Sequence, residues 1–172
     1  SAFEVGRNVA ATEGAVVFEN ELFQLIEYKP LGAKVYERTM LFVPPCINKF
    51  YIMDLQPDNS LIRYTVEQGH RVFVVSWRNP DASLADKTWD DYIEHAAIRA
   101  IDVVQDLTGA KTINTLGFCV GGTIIATALA SSRVSTTCGI TRVARCKANG
   151  DCCMRQLQRR TKPAMLISAS PV

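Results

Sequence analysis

The clearest chemical signal in the sequence is a cysteine between closely spaced glycines. The segment Gly117-Phe118-Cys119-Val120-Gly121 fits the pattern G-x-nucleophile-x-G, with a thiol where such motifs more often have a serine hydroxyl. In this motif the nucleophile lies on a tight turn between a strand and a helix, where the helix dipole favours a thiolate over a thiol. The pattern therefore predicts that Cys119 is a nucleophile. The alternative is a small buried residue in a glycine-rich turn.

Two further features would support a nucleophile at this position. The residues around the nucleophile must be small so that strand and helix can approach each other. Here they are the glycines Gly117, Gly121 and Gly122. The backbone N–H of Val120, the residue after the nucleophile, is predicted to point to the place where a tetrahedral oxyanion would form.

A second oxyanion donor is expected from the loop after an earlier buried strand. That loop covers residues 44–51 and begins with two prolines, which stiffen it. We predict that the backbone N–H of Ile47 is the donor, with Cys46 as the second choice. The alternative is an ordinary structural loop.

A catalytic base is not evident in the sequence. An elbow nucleophile of this kind is followed along the chain by an acid and then by a histidine. His70 and His95 both precede Cys119, and their surroundings favour structural roles. No histidine follows Cys119, and Asp151 is the only acid that does. The sequence therefore predicts an incomplete triad.

The elements that would position these residues alternate between strands and helices. Runs rich in β-branched and aromatic residues predict strands, and apolar positions three and four apart predict helices. The expected order is a β-hairpin over 15–28, strands at 40–43, 71–77 and 111–116, and helices over 61–69, 88–109 and 124–130. This alternation indicates the α/β class, with a mostly parallel sheet and an antiparallel hairpin at its start.

Composition divides the chain near residue 130. Of all residues 48% are hydrophobic and 21% are charged, which excludes a chain disordered throughout. Apolar runs are too short for a membrane-spanning helix. The chain begins at Ser1 without a Met or a signal pattern, so we expect it to derive from something longer. Residues 1–130 contain 11 Lys and Arg against 16 Asp and Glu, whereas residues 131–172 contain 8 against 1.

The basic segment after residue 130 is expected to be a separate region, either translated out of frame or disordered. It has little hydrophobic periodicity and holds four of the six cysteines, Cys138, Cys146, Cys152 and Cys153. A zinc site is the functional alternative, but these cysteines lack paired C-x-x-C spacing and a nearby histidine. No metal is therefore predicted, and the positive charge accompanies no nucleic-acid-binding motif.

Several blocks in the first 130 residues occur in an order that indicates a family. They lie at residues 8–14, 44–55, 74–80 and 117–122. Together they resemble the class I poly(3-hydroxyalkanoate) synthases, which have an α/β-hydrolase fold. The resemblance divides the chain into a partial synthase domain at 1–130, with an incomplete sheet, and an atypical basic, cysteine-rich tail at 131–172.

The resemblance implies an acyltransferase of the bacterial cytoplasm that associates with storage granules. Family members polymerise (R)-3-hydroxyacyl-CoA into a polyester such as polyhydroxybutyrate, release CoA, and usually act as homodimers. Cys119 matches the family nucleophile, and Val120 with the Cys46–Ile47 loop matches the region assigned to oxyanion stabilisation. No cofactor is implied because the CoA thioester is the substrate, and neither nucleic acid nor a membrane span is expected. The family Asp and His have no counterpart here, so the chain is expected to be an inactive fragment.

Two alternatives stay open at this point. A depolymerase of polyhydroxyalkanoate or a thioesterase could use an elbow nucleophile on the same scaffold. A non-catalytic fragment that binds nothing specific is the alternative from another class. The blocks at 44–55 and 77–80 favour the synthase.

Overall fold

The centre of the structure is a mixed β-sheet with the strand order β1-β2-β4-β3-β5-β6. The computed structural model describes residues 4–131 and, as backbone alone, residues 167–169. The strands are β1 (Gly14–Glu19), β2 (Phe23–Tyr28), β3 (Met40–Val43), β4 (Val72–Trp77), β5 (Ile113–Gly117) and β6 (Ile167–Ala169). The helices are α1 (Leu61–Glu67), α2 (Trp89–Asp91), α3 (Arg99–Thr108) and α4 (Val120–Ser131), with a π-helical segment at Tyr92–Ile98 and short 3₁₀ turns at Phe50–Met53, Pro57–Asn59 and Ala82–Leu84.

The predicted hairpin is confirmed and is joined to the sheet through its second strand. β1 and β2 pair antiparallel, with a register shift between Val16 and Phe18. β2 also pairs antiparallel with β4, and Phe23 lies opposite Trp77. This second pairing was not predicted. The described sheet is mixed, because parallel pairing is confined to its central strands and antiparallel strands flank them on both sides.

The central strands β4, β3 and β5 are parallel, as the alternation of strands and helices predicted. All four residues of β3 are buried. Leu41 and Val43 pack into one hydrophobic cluster and Met40 and Phe42 into another, because successive side chains of a strand point to opposite faces. The continuous apolar run of β3 thus reflects a strand that is covered on both faces.

Helices cover the two faces of the sheet. Ile62 and Val66 of α1 belong to the cluster that contains Met40. The π-helical segment, α3 and α4 contribute to the cluster that contains Leu41. Among the described residues, none of the helices combines the length and the apolar character needed to cross a membrane.

The long helix predicted after Thr88 is confirmed in position but is not α-helical throughout. Thr88 forms the predicted cap, and Gly109 ends the helix in the left-handed conformation with a φ of 66°. Between them, Tyr92–Ile98 is π-helical. A π-helical turn holds more residues than an α-helical turn. After this segment Ala100, Ile101, Val103 and Val104 of α3 are buried, whereas Leu107, in the last turn, is 46% exposed.

The predictions for the basic tail fall almost wholly outside the described residues. The four cysteines considered for a zinc site lie there. In this region the structure describes only the backbone of β6, which pairs antiparallel with β5 and places Ala169 opposite Ile113.

Candidate active site

Cys119 lies in the turn that joins β5 to α4. Only Phe118 and Cys119 separate the end of the strand from the first residue of the helix. Cys119 has a φ of 54°, in the left-handed region, where a residue with a Cβ is strained by about 1–2 kcal/mol. Its side chain is exposed. The turn has the geometry that the sequence predicted, and the role of Cys119 as a nucleophile stays a prediction.

The glycines around the turn are required by close backbone contacts. A Cβ on Gly117 would lie 2.4 Å from the Cα of Gly122, and a Cβ on Gly121 would lie 1.9 Å from the carbonyl oxygen of Val43. Neither neighbour can give way easily, because both are backbone atoms. A Cβ on Gly122 would meet the carbonyl group of Gly117, with its oxygen at 3.5 Å and its carbon at 3.8 Å, both ordinary contacts. The requirement for a small residue is therefore strongest at Gly117 and Gly121.

The end of β3 contacts this turn directly. Val43 lies opposite Gly117 in the parallel pairing, and its carbonyl oxygen accepts a hydrogen bond from the N–H of Phe118 at 3.0 Å. The turn is closed by a hydrogen bond from the N–H of Gly121 to the carbonyl oxygen of Phe118 at 2.9 Å. The loop that follows β3 therefore starts beside the turn that carries the thiol.

That loop contains both residues proposed for the second oxyanion donor. Cys46 is partly buried against the core, whereas Ile47 is 78% exposed. The N–H of Asn48 donates to the carbonyl oxygen of Pro45 at 3.1 Å and forms a turn around these two residues. Within the part of the chain that the structure describes, the N–H groups of Cys46, Ile47 and Val120 donate no hydrogen bond. Their assignment as oxyanion donors stays a prediction.

The far end of the loop is held by a buried carboxylate that the sequence analysis did not single out. Asp54 is 1% exposed. Its Oδ1 accepts hydrogen bonds from Thr12 Oγ1 at 2.7 Å and from Ser60 Oγ at 2.6 Å, and its backbone carbonyl accepts one from the N–H of Ala10 at 2.8 Å. A buried carboxylate needs such partners. The available signal was an acid within the otherwise apolar stretch Tyr51 to Leu55.

The two histidines have neighbours other than the nucleophile, and their structural roles stay a prediction. The ring of His70 packs on Tyr36 with centroids 4.9 Å apart, and burial lowers the pKa of His70 below its usual value. His95 Nε2 lies 3.9 Å from Asp91 Oδ1. Among the described residues, no hydrogen bond joins either histidine to Cys119.

A cavity of about 430 Å³ lies beside the same loop without reaching the thiol. Its lining includes Lys49, Tyr51, Arg78 and Asn79. Lys49 Nζ donates a hydrogen bond to Asn79 Oδ1 across it. Because Cys119 is not part of the lining, the cavity is no evidence for an acyl-binding channel.

Comparison with known families agrees with this geometry. The family described as the alpha/beta hydrolase fold matches residues 42–141, which is more than half of the chain. The family described as the N-terminus of poly-beta-hydroxybutyrate polymerase (PhaC) matches residues 1–65. Together with the parallel central strands and the turn at Cys119, these matches define an α/β-hydrolase fold.

Individual relatives narrow the class further. The chain is 74% identical over 130 residues to the poly(3-hydroxyalkanoate) polymerase subunit PhaC of Cupriavidus necator, covering 76% of this chain and 22% of the relative. It is 48% identical over 130 residues to the poly(3-hydroxyalkanoate) polymerase of Methylorubrum extorquens, with the same coverage. The chain belongs to the poly(3-hydroxyalkanoate) polymerase family. It spans about a fifth of the length of these two relatives.

Proposed function

We propose that this chain is part of a polymerase that converts (R)-3-hydroxyacyl-CoA into polyhydroxyalkanoate through a thioester on Cys119. The observation that carries the proposal is an exposed thiol at a φ of 54° between β5 and α4. Among the described non-glycine residues, only Ala10 has a similar φ, 55°, and it has no reactive side chain. Strain at a residue with an exposed thiol favours a functional reason for that side chain. The relatives are named poly(3-hydroxyalkanoate) polymerases, and this supplies the polymer class.

The proposed reaction exchanges one thioester for another. The thiolate of Cys119 attacks the carbonyl carbon of the acyl-CoA, the bond to the CoA sulfur breaks, and CoA leaves and takes up a proton. The two thioesters are nearly equal in energy, so the acyl group stays activated. The hydroxyl of a second acyl unit then attacks the carbonyl carbon of the Cys119 thioester and loses its proton to a base. The ester bond of the polymer forms, the bond to the Cys119 sulfur breaks, and the thiolate is released for the next acyl group.

Backbone N–H groups would stabilise the oxyanion formed in each step. Val120 supplies one as the first residue of α4, and Ile47 or Cys46 supplies the other from the loop after β3. The carbonyl oxygen of Val43 ties the start of that loop to the elbow turn, which supports this arrangement. No cofactor enters this scheme.

The base and its acidic partner would come from a segment outside the matched region. The chain has two histidines. His70 packs on Tyr36 and His95 lies near Asp91, and neither is hydrogen-bonded to Cys119 among the described residues. We therefore propose that the 172-residue chain by itself is an inactive fragment. For the whole polymerase we propose a cytoplasmic homodimer at the surface of polyester granules.

The test uses a chimera in which the first 130 residues of this chain replace the matching segment of the Cupriavidus necator relative. With 3-hydroxybutyryl-CoA, we expect CoA release together with polymer. Cys119→Ala should abolish both, whereas Cys46→Ala should retain part of the activity because its backbone N–H remains. Free 3-hydroxybutyrate without polymer would instead indicate a hydrolase or a thioesterase. Equal loss in the two variants would contradict the assignment of Cys119.

A further inference from the structure

An indole N–H holds the start of the loop that carries the predicted oxyanion donors. Trp77 is the last residue of β4 and is 7% exposed. Its Nε1–H donates a hydrogen bond to the carbonyl oxygen of Pro44 at 2.8 Å, in a buried position. Pro44 directly follows β3 and lies two residues before Cys46.

Pro44, which Trp77 holds, and the preceding Val43 both lie against the elbow turn. The carbonyl oxygen of Val43 accepts the Phe118 N–H at 3.0 Å, and the carbonyl carbon of Pro44 lies 3.0 Å from where a Cβ on Gly121 would be. Two successive carbonyl groups therefore have different partners, one in the elbow turn and one in β4. Together these contacts fix the direction in which the chain leaves β3.

The loop has few hydrogen bonds of its own that could replace this contact. Pro44 and Pro45 have no N–H, and their rings restrict φ. The first backbone hydrogen bond donated within the loop, among the described residues, comes from the N–H of Asn48. The direction of the peptide groups at Cys46 and Ile47 therefore depends on how Pro44 is held.

The donor itself is fixed by aromatic packing. The ring of Trp77 lies 5.6 Å from the ring of Tyr92 in the π-helical segment and 6.5 Å from the ring of Phe23 in β2, measured between centroids. A buried indole packed on two sides has little freedom to turn its N–H away from its acceptor.

We propose that Trp77 is a positioning residue for acyl transfer. Its N–H holds the Pro44 carbonyl so that the backbone N–H of Ile47 or Cys46 faces the oxyanion that forms on the Cys119 thioester. Trp77 touches neither the substrate nor the thiol. The proposal rests on the function proposed above. It adds Trp77, which is not among the site residues predicted from the sequence.

The test compares Trp77→Phe with Trp89→Phe in the chimera. Trp89 is 43% exposed at the start of α2, so its replacement removes an indole without touching the loop. Loss of a whole oxyanion donor costs about 10²–10³ in kcat. For a displaced donor we expect kcat of Trp77→Phe to fall by about 10- to 100-fold, with KM changed by about twofold or less. Trp89→Phe should keep the kcat of the parent.

A second readout separates positioning from general loss of structure. Alkylation of Cys119 by iodoacetamide forms no oxyanion, so its rate in Trp77→Phe should stay within about twofold of the parent. A parallel loss of kcat and of alkylation rate would overturn the proposal in favour of a structural role. An unchanged kcat would overturn it as well.

A shape-matched substitution covers the case in which Trp77→Phe does not fold. Replacing Trp77 with 3-benzothienylalanine keeps the bicyclic ring and removes only the N–H donor. The same fall in kcat is expected, and a kcat equal to that of the parent would overturn the proposal. Failure of the function proposed above would look different, because the unsubstituted chimera would then make no polymer.

Discussion

At the scale of single residues, the candidate site combines backbone strain with close packing. Cys119 occupies a left-handed conformation that suits glycine, while Gly117 and Gly121 leave no space for a side chain. The strain lies in the backbone of Cys119 and opposes folding by about 1–2 kcal/mol. It places the sulfur at the surface beside the first residue of α4. Stability and function should therefore oppose each other at position 119.

This opposition can be measured with two substitutions at the same position in the chimera. Cys119→Gly removes the Cβ and should be more stable than Cys119→Ala, which keeps it, by about 1 kcal/mol in the free energy of unfolding. Urea denaturation followed by circular dichroism gives the difference. Equal stability of the two variants, or a less stable glycine variant, would contradict the strain at this position.

At the scale of elements, the loop after β3 is held at both ends. Trp77 binds its start, and Asp54 binds its end to the segment before β1 and to the N-terminal cap of α1. Asp54 also lies near Tyr28, where burial, aided by the negative charge of Asp54, raises the pKa of the tyrosine hydroxyl well above its usual value. One buried carboxylate thus joins the distant segment before β1 to the start of α1, six residues away.

Replacement of this carboxylate should destabilise the fold. Asp54→Ala leaves the hydroxyls of Thr12 and Ser60 without their acceptor, and we expect a loss of about 2–4 kcal/mol in the free energy of unfolding. Asp54→Asn keeps one oxygen acceptor and should lose less. The measurement is the shift of the urea midpoint in the chimera.

Asp58→Ala is the matched control, because Asp58 is an exposed acid four residues further along the same segment. Its effect should stay within about 0.5 kcal/mol. If Asp54→Ala were as mild as this control, Asp54 would not hold the loop.

Periodicity and turn chemistry were sufficient to predict most elements. They did not predict the long-range contacts. Buried strands such as β3 have continuous apolar sequences, and the cap at Thr88 is indicated by the residues that directly follow it. The sequence analysis did not predict the π-helical segment, because the apolar residues in this segment have the spacing of an α-helix. Local spacing also predicted the turn at Cys119. The contacts of Trp77 and Asp54 join residues distant in sequence, for which a single sequence gives no signal.

At the largest scale, the function proposed above makes the chain one part of a larger catalytic unit. It carries the candidate nucleophile and the loop expected to support an oxyanion, and it spans about a fifth of the length of its relatives. The parallel centre of the sheet brings these two parts together, since β3 and β5 are neighbours and their carboxyl ends lie at the same edge. Under the proposed function, other residues of the polymerase would supply the base to that edge.

The most direct test of this account is to identify the residue that carries the acyl group. The chimera is incubated briefly with 3-hydroxybutyryl-CoA, quenched in acid, digested, and examined by peptide mass spectrometry. We expect a hydroxybutyryl group or its oligomers on the peptide that contains Cys119, retained in Cys46→Ala and absent in Cys119→Ala. Polymer formation with the acyl group on Cys46, or on no cysteine, would contradict the account.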